Sequence, residues 1–372
     1  MQFVELHEVC RLEPRADTIW QTGDELHWQQ ADPFCVVGVS TGAMVNRHRQ
    51  SKCILPAPGV YRLRDAEVHG RGCVKIGDSL LGGESWPGIG VFDGPAKRLL
   101  HTTPRDYFAD KAPALPVRRV PGRSVLLSHS ADHIYGHWLL DIFPVLWMAK
   151  RSGATDGARV IVRSDAPSYI DAWLLAAGFG PDAIIRHDVH GEILLAEELV
   201  VGTYLRVKEY VYPEMAEYGD WFRGIHVADL PPRASDGSRL YVSRSGIERT
   251  RRNLINRPEI EEKFAELGFE VYRPETDTIE TQIRKFSKAG FIIGESGSGL
   301  HNSLFSPSDT MVCALTSQKR LNLIQSALCQ ARNQRISYIV GTAFDRAGLG
   351  STVDFHIPPD DVDVLLEQCG TV

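Results

Sequence analysis

A glycine-rich run of polar residues follows a strongly apolar stretch late in the chain, in the order Gly294-Glu295-Ser296-Gly297-Ser298-Gly299. Glycines between a strand and a helix let a ligand approach the backbone closely, and the N–H groups that open the helix attract an anion. The spacing is neither a dinucleotide fingerprint nor a P-loop, because no lysine follows the glycines. The pattern favours a nucleotide diphosphate, with Glu295 accepting hydrogen bonds from ribose or sugar hydroxyls. The alternative is a tight turn that binds no ligand.

A second group of polar residues, His133, His137 and Asp141, is spaced four residues apart in an apolar segment. On a helix this spacing aligns the three side chains, and we predict a helix over residues 133–152. A carboxylate beside a histidine orients the ring for general-base chemistry. Pro144 cannot donate a hydrogen bond to the preceding turn, so the helix is expected to kink or to start late. The alternatives are a zinc site, for which no third ligand is evident, and a core helix with a hydrogen-bonded polar stripe.

A basic segment follows the apolar residues 240–242 and contains Arg244, Arg249, Arg251 and Arg252. Guanidinium groups bind phosphate oxygens through paired hydrogen bonds. Arg244 stands at the end of the predicted strand and is therefore expected to bind phosphate. Arg249 and Arg252 are additional candidates, and a solvated charged loop is the alternative for Arg249 and Arg251.

Strands and helices alternate in the second half of the sequence, a pattern typical of a parallel, doubly wound sheet. Helices are predicted to open at Asn256 and Asp277, each followed three residues later by glutamate as in a capping box, and a further helix is predicted near 320–333. The predicted strands cover residues 240–242, 269–272, 291–293, 311–315 and 337–340. This order places Arg244 and the glycine-rich run after strands, where open α/β sheets bind ligands.

The first half is less regular, and residues 1 to about 125 suggest short strands and loops. Beyond the histidine-containing helix we predict strands at 159–163, 183–187 and 193–202, with a helix near 168–178. Residues 231–237, Pro-Pro-Arg-Ala-Ser-Asp-Gly, are typical of a linker. The predicted domains are an N-terminal domain over 1–230, a C-terminal domain over 236–350, and a helical C-terminal segment over 351–372 that packs back.

The composition is that of a globular protein of about two domains, with 372 residues, 43% hydrophobic and 24% charged. The net charge of −6 argues against nucleic-acid or anionic-membrane binding as the main task. The N-terminal residues do not form a secretory signal, and no apolar run approaches the length of a membrane span. The seven cysteines are scattered without a C-x-x-C pair, which predicts free thiols and a cytoplasmic location.

Taken together, these motifs resemble glycosyltransferase family 61. The family's helix motif is matched by His137-Trp138-Leu139-Leu140-Asp141 with Pro144, and its strand end by Ser243-Arg244. The other matches keep their order and spacing over roughly residues 125–370, and they are Arg252, Asn256, Glu259, residues 267–270, Gln282, Phe286, Ser287, Ala289, Leu300 and Asn302. The resemblance implies an α/β, GT-B-like fold in which two Rossmann-like domains face a cleft. It also implies an inverting mechanism and a nucleotide-sugar donor held mainly by the C-terminal half.

One departure from the family concerns the glycine-rich run. The family loop reads His-Gly-Ala-Gly, whereas this chain has Ser296 at the histidine position and His301 after the glycines. We predict that His301 has taken over the contact with the diphosphate. The lack of a signal or anchor resembles the bacterial branch of the family, which serves capsule, lipopolysaccharide or exopolysaccharide synthesis.

On this resemblance, Asp141 assisted by His137 is expected to deprotonate the acceptor hydroxyl, with His133 as an additional candidate. Arg244, His301 and the loop amides of Ser296, Gly297, Ser298 and Gly299 are expected to stabilise the departing diphosphate without a metal or other cofactor. Glu295 and Asn302 are expected to bind ribose or sugar hydroxyls.

The predicted partners are a nucleotide sugar and a glycan or lipid-linked glycan acceptor, with peripheral contact to membrane-bound machinery and none with nucleic acid. Two other function classes remain open. One is a non-catalytic glycan- or nucleotide-binding module, favoured by Ser296 in place of histidine. The other is a transferase of an acyl or phosphate group that uses Ser296 as its nucleophile.

Overall fold

The chain forms two compact units in a computed structural model that describes residues 2–82, 114–128, 131–229, 235–247, 253–345 and 353–370. The first unit comprises Met1–Leu26 and Leu55–Lys208. The second unit comprises His27–Ile54 and Glu209–Val372. No helix in the described ranges is both long enough and apolar enough to span a bilayer.

The strands of the described residues are, in chain order, β1 (Gln2–Val4), β2 (Ala16–Gln21), β3 (Leu26–Gln29), β4 (Cys35–Gly38), β5 (Lys52–Leu55), β6 (Gly59–His69), β7 (Cys73–Ile76), β8 (Ser79–Leu81), β9 (Val117–Leu126), β10 (Arg159–Arg163), β11 (Ile184–His187), β12 (Ile193–Gly202), β13 (Arg206–Val207), β14 (Tyr210–Val211), β15 (Ser238–Val242), β16 (Glu270–Tyr272), β17 (Ala289–Glu295), β18 (Met311–Ser317), β19 (Arg335–Asp345) and β20 (Val353–His356).

The helices are α1 (Val9–Leu12), α2 (Thr41–Gln50), α3 (Tyr135–His137), α4 (Phe143–Arg151), α5 (Tyr169–Ala176), α6 (Met215–His226), α7 (Arg257–Glu266), α8 (Ile279–Phe286), α9 (Ile324–Ala331) and α10 (Pro359–Gln368). A π-helical turn, Trp138–Ile142, joins α3 to α4. We call the continuous helix over residues 135–151 the histidine helix. Short 3₁₀ helices cover Leu6–Glu8, Pro181–Ala183, Pro274–Thr276 and Ser298–Phe305.

The first unit is built on one mixed sheet in the order β1-β8-β7-β6-β12-β9-β10-β11, with β2 also paired to β6. Strands β12, β9, β10 and β11 are parallel, whereas β6 runs antiparallel to β12. The parallel strands are rich in Val, Ile and Leu, and their apolar side chains enter a buried core. Segments that follow β9, β10 and β12 therefore leave the sheet at the same edge.

The second unit contains a parallel sheet in the order β16-β15-β17-β18-β19, extended by β4 parallel to β19 and by β20 antiparallel to it. The strand order reverses between β15 and β17, as in other doubly wound sheets. The predicted alternation of strands and helices is thus confirmed as a mixed α/β structure. Helix α6 was not predicted, because Pro213 and the polar residues around it suggested a loop.

The division into units differs from the predicted boundary at the proline-rich linker, of which residues 230–234 lie outside the described ranges. Helix α6 contacts α8, α9 and the Ser298–Phe305 helix, so it belongs to the second unit although it precedes the linker. Strand β4 pairs with β19 in the register Cys35↔Ser337, so an N-terminal segment completes the sheet of the second unit. Helix α10, in the predicted C-terminal segment, contacts β4, β19 and α7 of the same unit.

Candidate active site

The histidine helix begins at Tyr135, two residues later than predicted, and His133 lies in the exposed turn before it. Pro144 has no N–H for the carbonyl four residues earlier. Just before Pro144 the helix forms the π-helical turn, in which the Phe143 N–H donates to the carbonyl of Trp138, five residues earlier. π-Helical turns occur frequently at functional sites.

His137 and Asp141 form a hydrogen-bonded pair on this helix, with 2.6 Å between His137 Nδ1 and Asp141 Oδ2. Arg206, four residues after β12, binds the same carboxylate from Nε at 2.8 Å and from Nη2 at 2.5 Å. The Asp141 side chain is only 1% exposed, whereas that of His137 is 27% exposed. Asp141 is thus enclosed between two donors, and the imidazole is the group of the pair that reaches the surface.

A second buried ion pair supports the start of the histidine helix. Arg163, at the carboxyl end of β10, donates from Nη1 to Asp132 Oδ1 at 2.5 Å, and both side chains are buried. The Asp132 carbonyl in turn accepts the indole N–H of Trp138 at 2.5 Å. Partial burial, together with the charges of Arg71 and Arg163, lowers the pKa of the neighbouring His133. These contacts explain how a turn between β9 and the helix is held in place.

The glycine loop (residues 294–299) lies in the second unit at the end of β17, beside the end of β15. Glu295 completes β17, and the 3₁₀ helix Ser298–Phe305 follows directly. The strand order reverses between these two strands, which is the position where open α/β sheets bind ligands. The topology places the glycine loop at that position, and the ligand site predicted there stays a prediction.

Arg244 lies two residues after β15, and its guanidinium lies over the backbone of Gly297. A Cβ atom at position 297 would stand 2.0 Å from Arg244 Nη1, so the glycine is what leaves room for the guanidinium. Burial lowers the pKa of Arg244, and its buried Nε has no hydrogen-bond partner among the described residues. An unsatisfied, largely buried guanidinium beside a helix start is well suited to bind an anion.

Glu295 does not have the exposed position expected for a residue that binds ribose or sugar hydroxyls. It is 2% exposed, and Arg257 donates to both its oxygens, from Nε at 2.7 Å and from Nη2 at 3.0 Å. The Arg244 backbone N–H also donates to Oε1 at 3.3 Å. This pairing raises the pKa of Arg257 and makes Glu295 a connection between the loop, the end of β15 and helix α7.

Two further loop predictions need correction. The N–H of Ser296 donates to the carbonyl of Leu315 on β18 at 2.9 Å, so this amide is not available to an anion. Asn302 is fully buried and donates to Gln282 Oε1 at 2.7 Å, so it connects the loop helix to α8 inside the protein, which does not suit the predicted contact with sugar hydroxyls. The amides of Gly297, Ser298 and Gly299 lie at the start of the 3₁₀ helix, as predicted.

His301 lies in the first half of that 3₁₀ helix, and its Nδ1 is 3.0 Å from Gln325 Oε1. Gln325 is buried and donates to Ser303 Oγ at 2.8 Å, which holds the imidazole in a defined orientation. The predicted contact of His301 with a diphosphate stays a prediction. Arg249 and Arg252, the additional basic candidates, lie outside the described residues.

Sequence reasoning missed Arg206 and Arg257, the two arginines that bind the buried carboxylates. Each had a local signal, since Arg206 follows the apolar end of β12 and Arg257 precedes Pro258 at the start of α7. Neither signal could identify the partner, because Arg206 binds Asp141 across 65 residues and Arg257 binds Glu295 across 38.

Comparison with known protein families finds that residues 135–313 match the family model described as Glycosyltransferase 61. The matched segment begins with the histidine helix and extends past the glycine loop, so it contains both candidate sites. The match supports the resemblance drawn from the motifs and indicates glycosyltransferase activity in general. A comparison with curated proteins gives no match.

Proposed function

We propose that this protein is an inverting, GT-B-like glycosyltransferase that moves a sugar from a nucleotide-sugar donor onto a glycan or lipid-linked glycan. The observation that carries the proposal is the buried guanidinium of Arg244 over Gly297, at the reversal point of a doubly wound sheet. Its Nε has no hydrogen-bond partner among the residues that the structure describes. The family match over residues 135–313 supports the class of reaction. Capsule, lipopolysaccharide or exopolysaccharide is the proposed destination of the product, and the cytoplasm the proposed location.

The second unit supplies the groups for the leaving diphosphate in this proposal. As the bond between the anomeric carbon and the diphosphate oxygen breaks, negative charge grows on that oxygen. Arg244 and the amides of Gly297, Ser298 and Gly299 are placed to stabilise this charge, with His301 as the further predicted contact. No step in this scheme requires a metal ion.

The first unit supplies the base. Asp141 was predicted for this role, but its burial and its two hydrogen bonds to Arg206 suit a positioning residue. We therefore assign the proton transfer to His137. When Asp141 accepts a hydrogen bond from Nδ1–H, the neutral ring carries its lone pair on Nε2, which can take the proton of the acceptor hydroxyl. The acceptor oxygen then attacks the anomeric carbon from the face opposite the diphosphate, which inverts its configuration.

The test is incubation of the purified protein with a panel of nucleotide sugars, with calorimetry of the corresponding nucleoside diphosphates. We expect one sugar nucleotide to be hydrolysed slowly and its diphosphate to bind. Arg244→Ala should weaken that binding by about 1.5–3 kcal/mol, the usual contribution of a charge-assisted hydrogen bond. Arg284→Ala, which removes an exposed arginine paired with Asp229, is the matched control and should bind normally.

Gly297→Ala provides a second variant. Gly297 has an extended backbone with φ 165°, which alanine can adopt, so the added methyl group acts mainly by displacing the flexible Arg244 side chain. We expect weakened binding at nearly unchanged thermal stability. Binding without any turnover would favour the non-catalytic module, and equal affinity of wild type and Arg244→Ala would remove the diphosphate from this loop.

A further inference from the structure

A polar cleft of about 560 Å³ lies between helix α2 and residues 318–322 of the second unit. Helix α2 lines it with one face, which carries Asn46, Arg47 and Gln50. The opposite wall follows β18 and carries Arg320 and Asn322. The volume is in the range of small-molecule sites. Neither the glycosyltransferase chemistry nor the diphosphate contacts described above use this cleft.

The two walls are fixed to each other by a shared carboxylate. Arg47 donates to Glu209 Oε2 at 2.6 Å, and the other oxygen of Glu209 accepts the backbone N–H of Leu323 at 3.1 Å. On the buried face of helix α2, His48 contacts helix α9, with 2.8 Å between His48 Nε2 and Ser326 Oγ. The cleft is therefore preformed, so a ligand would not have to order its walls.

The groups exposed in the cleft are carboxamides and cations. In the part of the chain that the structure describes, the side-chain amides of Asn46, Gln50 and Asn322 make no hydrogen bonds. A carboxamide both donates and accepts, so an array of them can match the mixed donor and acceptor edge of a nucleobase. Arg47, Lys319 and Arg320 outweigh the single negative charge of Glu209, which also favours a ligand that carries phosphate.

The cleft adjoins the Arg244 site along the end of one strand. Thr316 and Ser317, at the end of β18, line the small cavity that contains Arg244 and Ser296, and the next residue, Gln318, lines the cleft. Burial, together with the positive charges of Arg257 and Arg320, lowers the pKa of Arg244, so Arg320 lies within electrostatic range of it. A ligand with a diphosphate at Arg244 could thus extend its other end past Arg320 into the cleft.

We propose that this cleft binds the nucleoside of the donor and selects its base, with Asn46 and Gln50 of α2 as the residues that read it. This inference rests on the proposed function. Helix α2 and residues 318–322 both lie outside the segment 135–313 that matches the family model. In this proposal, residues 27–54, the N-terminal segment that belongs to the second unit, help to select the donor.

The test compares two ligands on the same variants of the full-length protein. Calorimetry is performed with a panel of nucleoside diphosphates and with inorganic pyrophosphate, which lacks a base. In the double variant Asn46→Ala/Gln50→Ala, the preferred nucleoside diphosphate should bind about tenfold more weakly, as expected for two lost hydrogen bonds, and the preference among bases should narrow. Pyrophosphate binding should stay as in the wild type. Arg49→Ala, on the same helix but outside the cleft, is the control and should change neither ligand.

Arg244→Ala separates the two proposals, because it should weaken pyrophosphate and nucleoside diphosphate together. Unchanged affinity and base preference in Asn46→Ala/Gln50→Ala, with a clear loss in Arg244→Ala, would overturn the cleft assignment while leaving the proposed function intact. Equal weakening of pyrophosphate in the double variant would also overturn it, since the cleft would then bind phosphate only. Failure of every nucleoside diphosphate to bind the wild type would overturn both.

Discussion

His137 and Asp141 are neighbours on one helix, yet their surroundings assign them different chemistry. Asp141 is held by Arg206 on both oxygens and by His137 on one, and it is almost entirely buried. A carboxylate in that setting orients the imidazole ring beside it. In the proposed function, the more exposed imidazole is therefore the group assigned to the acceptor hydroxyl.

This assignment predicts that His137→Gln lowers the rate of transfer by about 10²–10⁴, because it removes the general base. Nucleoside diphosphate binding should be unchanged in the same variant. Asp141→Asn should also lower the rate, and because Arg206 then loses its buried counter-charge, thermal unfolding should shift to lower temperature. The exposed His190→Gln is the matched control for steady-state kinetics. Wild-type turnover in His137→Gln with none in Asp141→Asn would return the role of base to Asp141.

Cys35 is a second residue whose chemistry depends on its neighbours. A hydrogen bond from the Cys369 thiol lowers the pKa of Cys35 to about 7, whereas burial raises the pKa of Cys73 and Cys313. Since the thiolate is the reactive form, alkylation of the native protein should be fastest at Cys35. Its rate should rise with pH through about 7 and then level off.

Mass spectrometry after timed iodoacetamide labelling measures this order. Cys369→Ala removes the hydrogen bond, so the pKa of Cys35 should return toward 9 and its labelling near pH 7 should slow. Labelling of Cys313 as fast as that of Cys35 in the native protein would contradict the prediction. Under denaturing conditions all seven thiols should react, since the described cysteines are free.

At the scale of single elements, the π-helical turn determines how His137 and Asp141 are oriented on the histidine helix. Pro144 prevents the hydrogen bond that would continue an α-helix, and the turn over residues 138–142 accommodates the missing donor. A change from π to α geometry would rotate His137 relative to α4, which is packed in the core of the first unit. Helix geometry and site geometry are thus coupled.

Pro144→Ala should therefore lower transfer at least about tenfold while leaving thermal stability unchanged or raised, because alanine is the better helix former. The new N–H can donate to the carbonyl of Leu140 and restore the α-helical register. Transfer assays and thermal unfolding of the same preparation separate the two effects. Pro181→Ala, in an exposed 3₁₀ turn of the same unit, is the control. Full activity in Pro144→Ala would mean that the π turn does not position His137.

At the scale of the whole molecule, the chain order and the two units do not coincide. Residues 27–54 leave the first unit, add β4 to the sheet of the second and supply helix α2. Val37 in the middle of β4 is buried in the core of the second unit beside Ile339. The stability of that unit therefore depends on a segment far away in sequence.

Val37→Asp should lower the free energy of unfolding by about 3 kcal/mol or more, because it buries an unpaired charge. Hydrogen–deuterium exchange should show loss of protection in β18 and β19, whereas β9 and β12 of the first unit keep theirs. Val39→Asp, just beyond the strand and exposed, is the control and should behave like the wild type. Equal loss of protection in both units would contradict the assignment of residues 27–54 to the second unit.

Local sequence patterns determined much of the second half of the protein. Short, mostly apolar runs of three to five residues, bounded by Gly and Pro, were sufficient to predict β15 to β19 and the helices α7 and α8, because these signals are short-range. The glycine loop and Arg244 could be predicted together, since each directly follows a strand of the same parallel sheet. The cap of α8 is Thr278, one residue after the predicted Asp277, because its side chain accepts the N–H of Thr281.

Only the tertiary structure decided which polar residues stay accessible and which are paired inside the protein. Asp141 and Glu295 are equally good candidates by residue type, but each is neutralised by an arginine that no local pattern connects to it. Asn302 likewise has a buried partner, Gln282, that no local pattern connects to it. The contribution of β4 and α2 to the second unit was also invisible in the sequence, because strand pairing between residues about 300 apart depends on the chain path and not on local propensity.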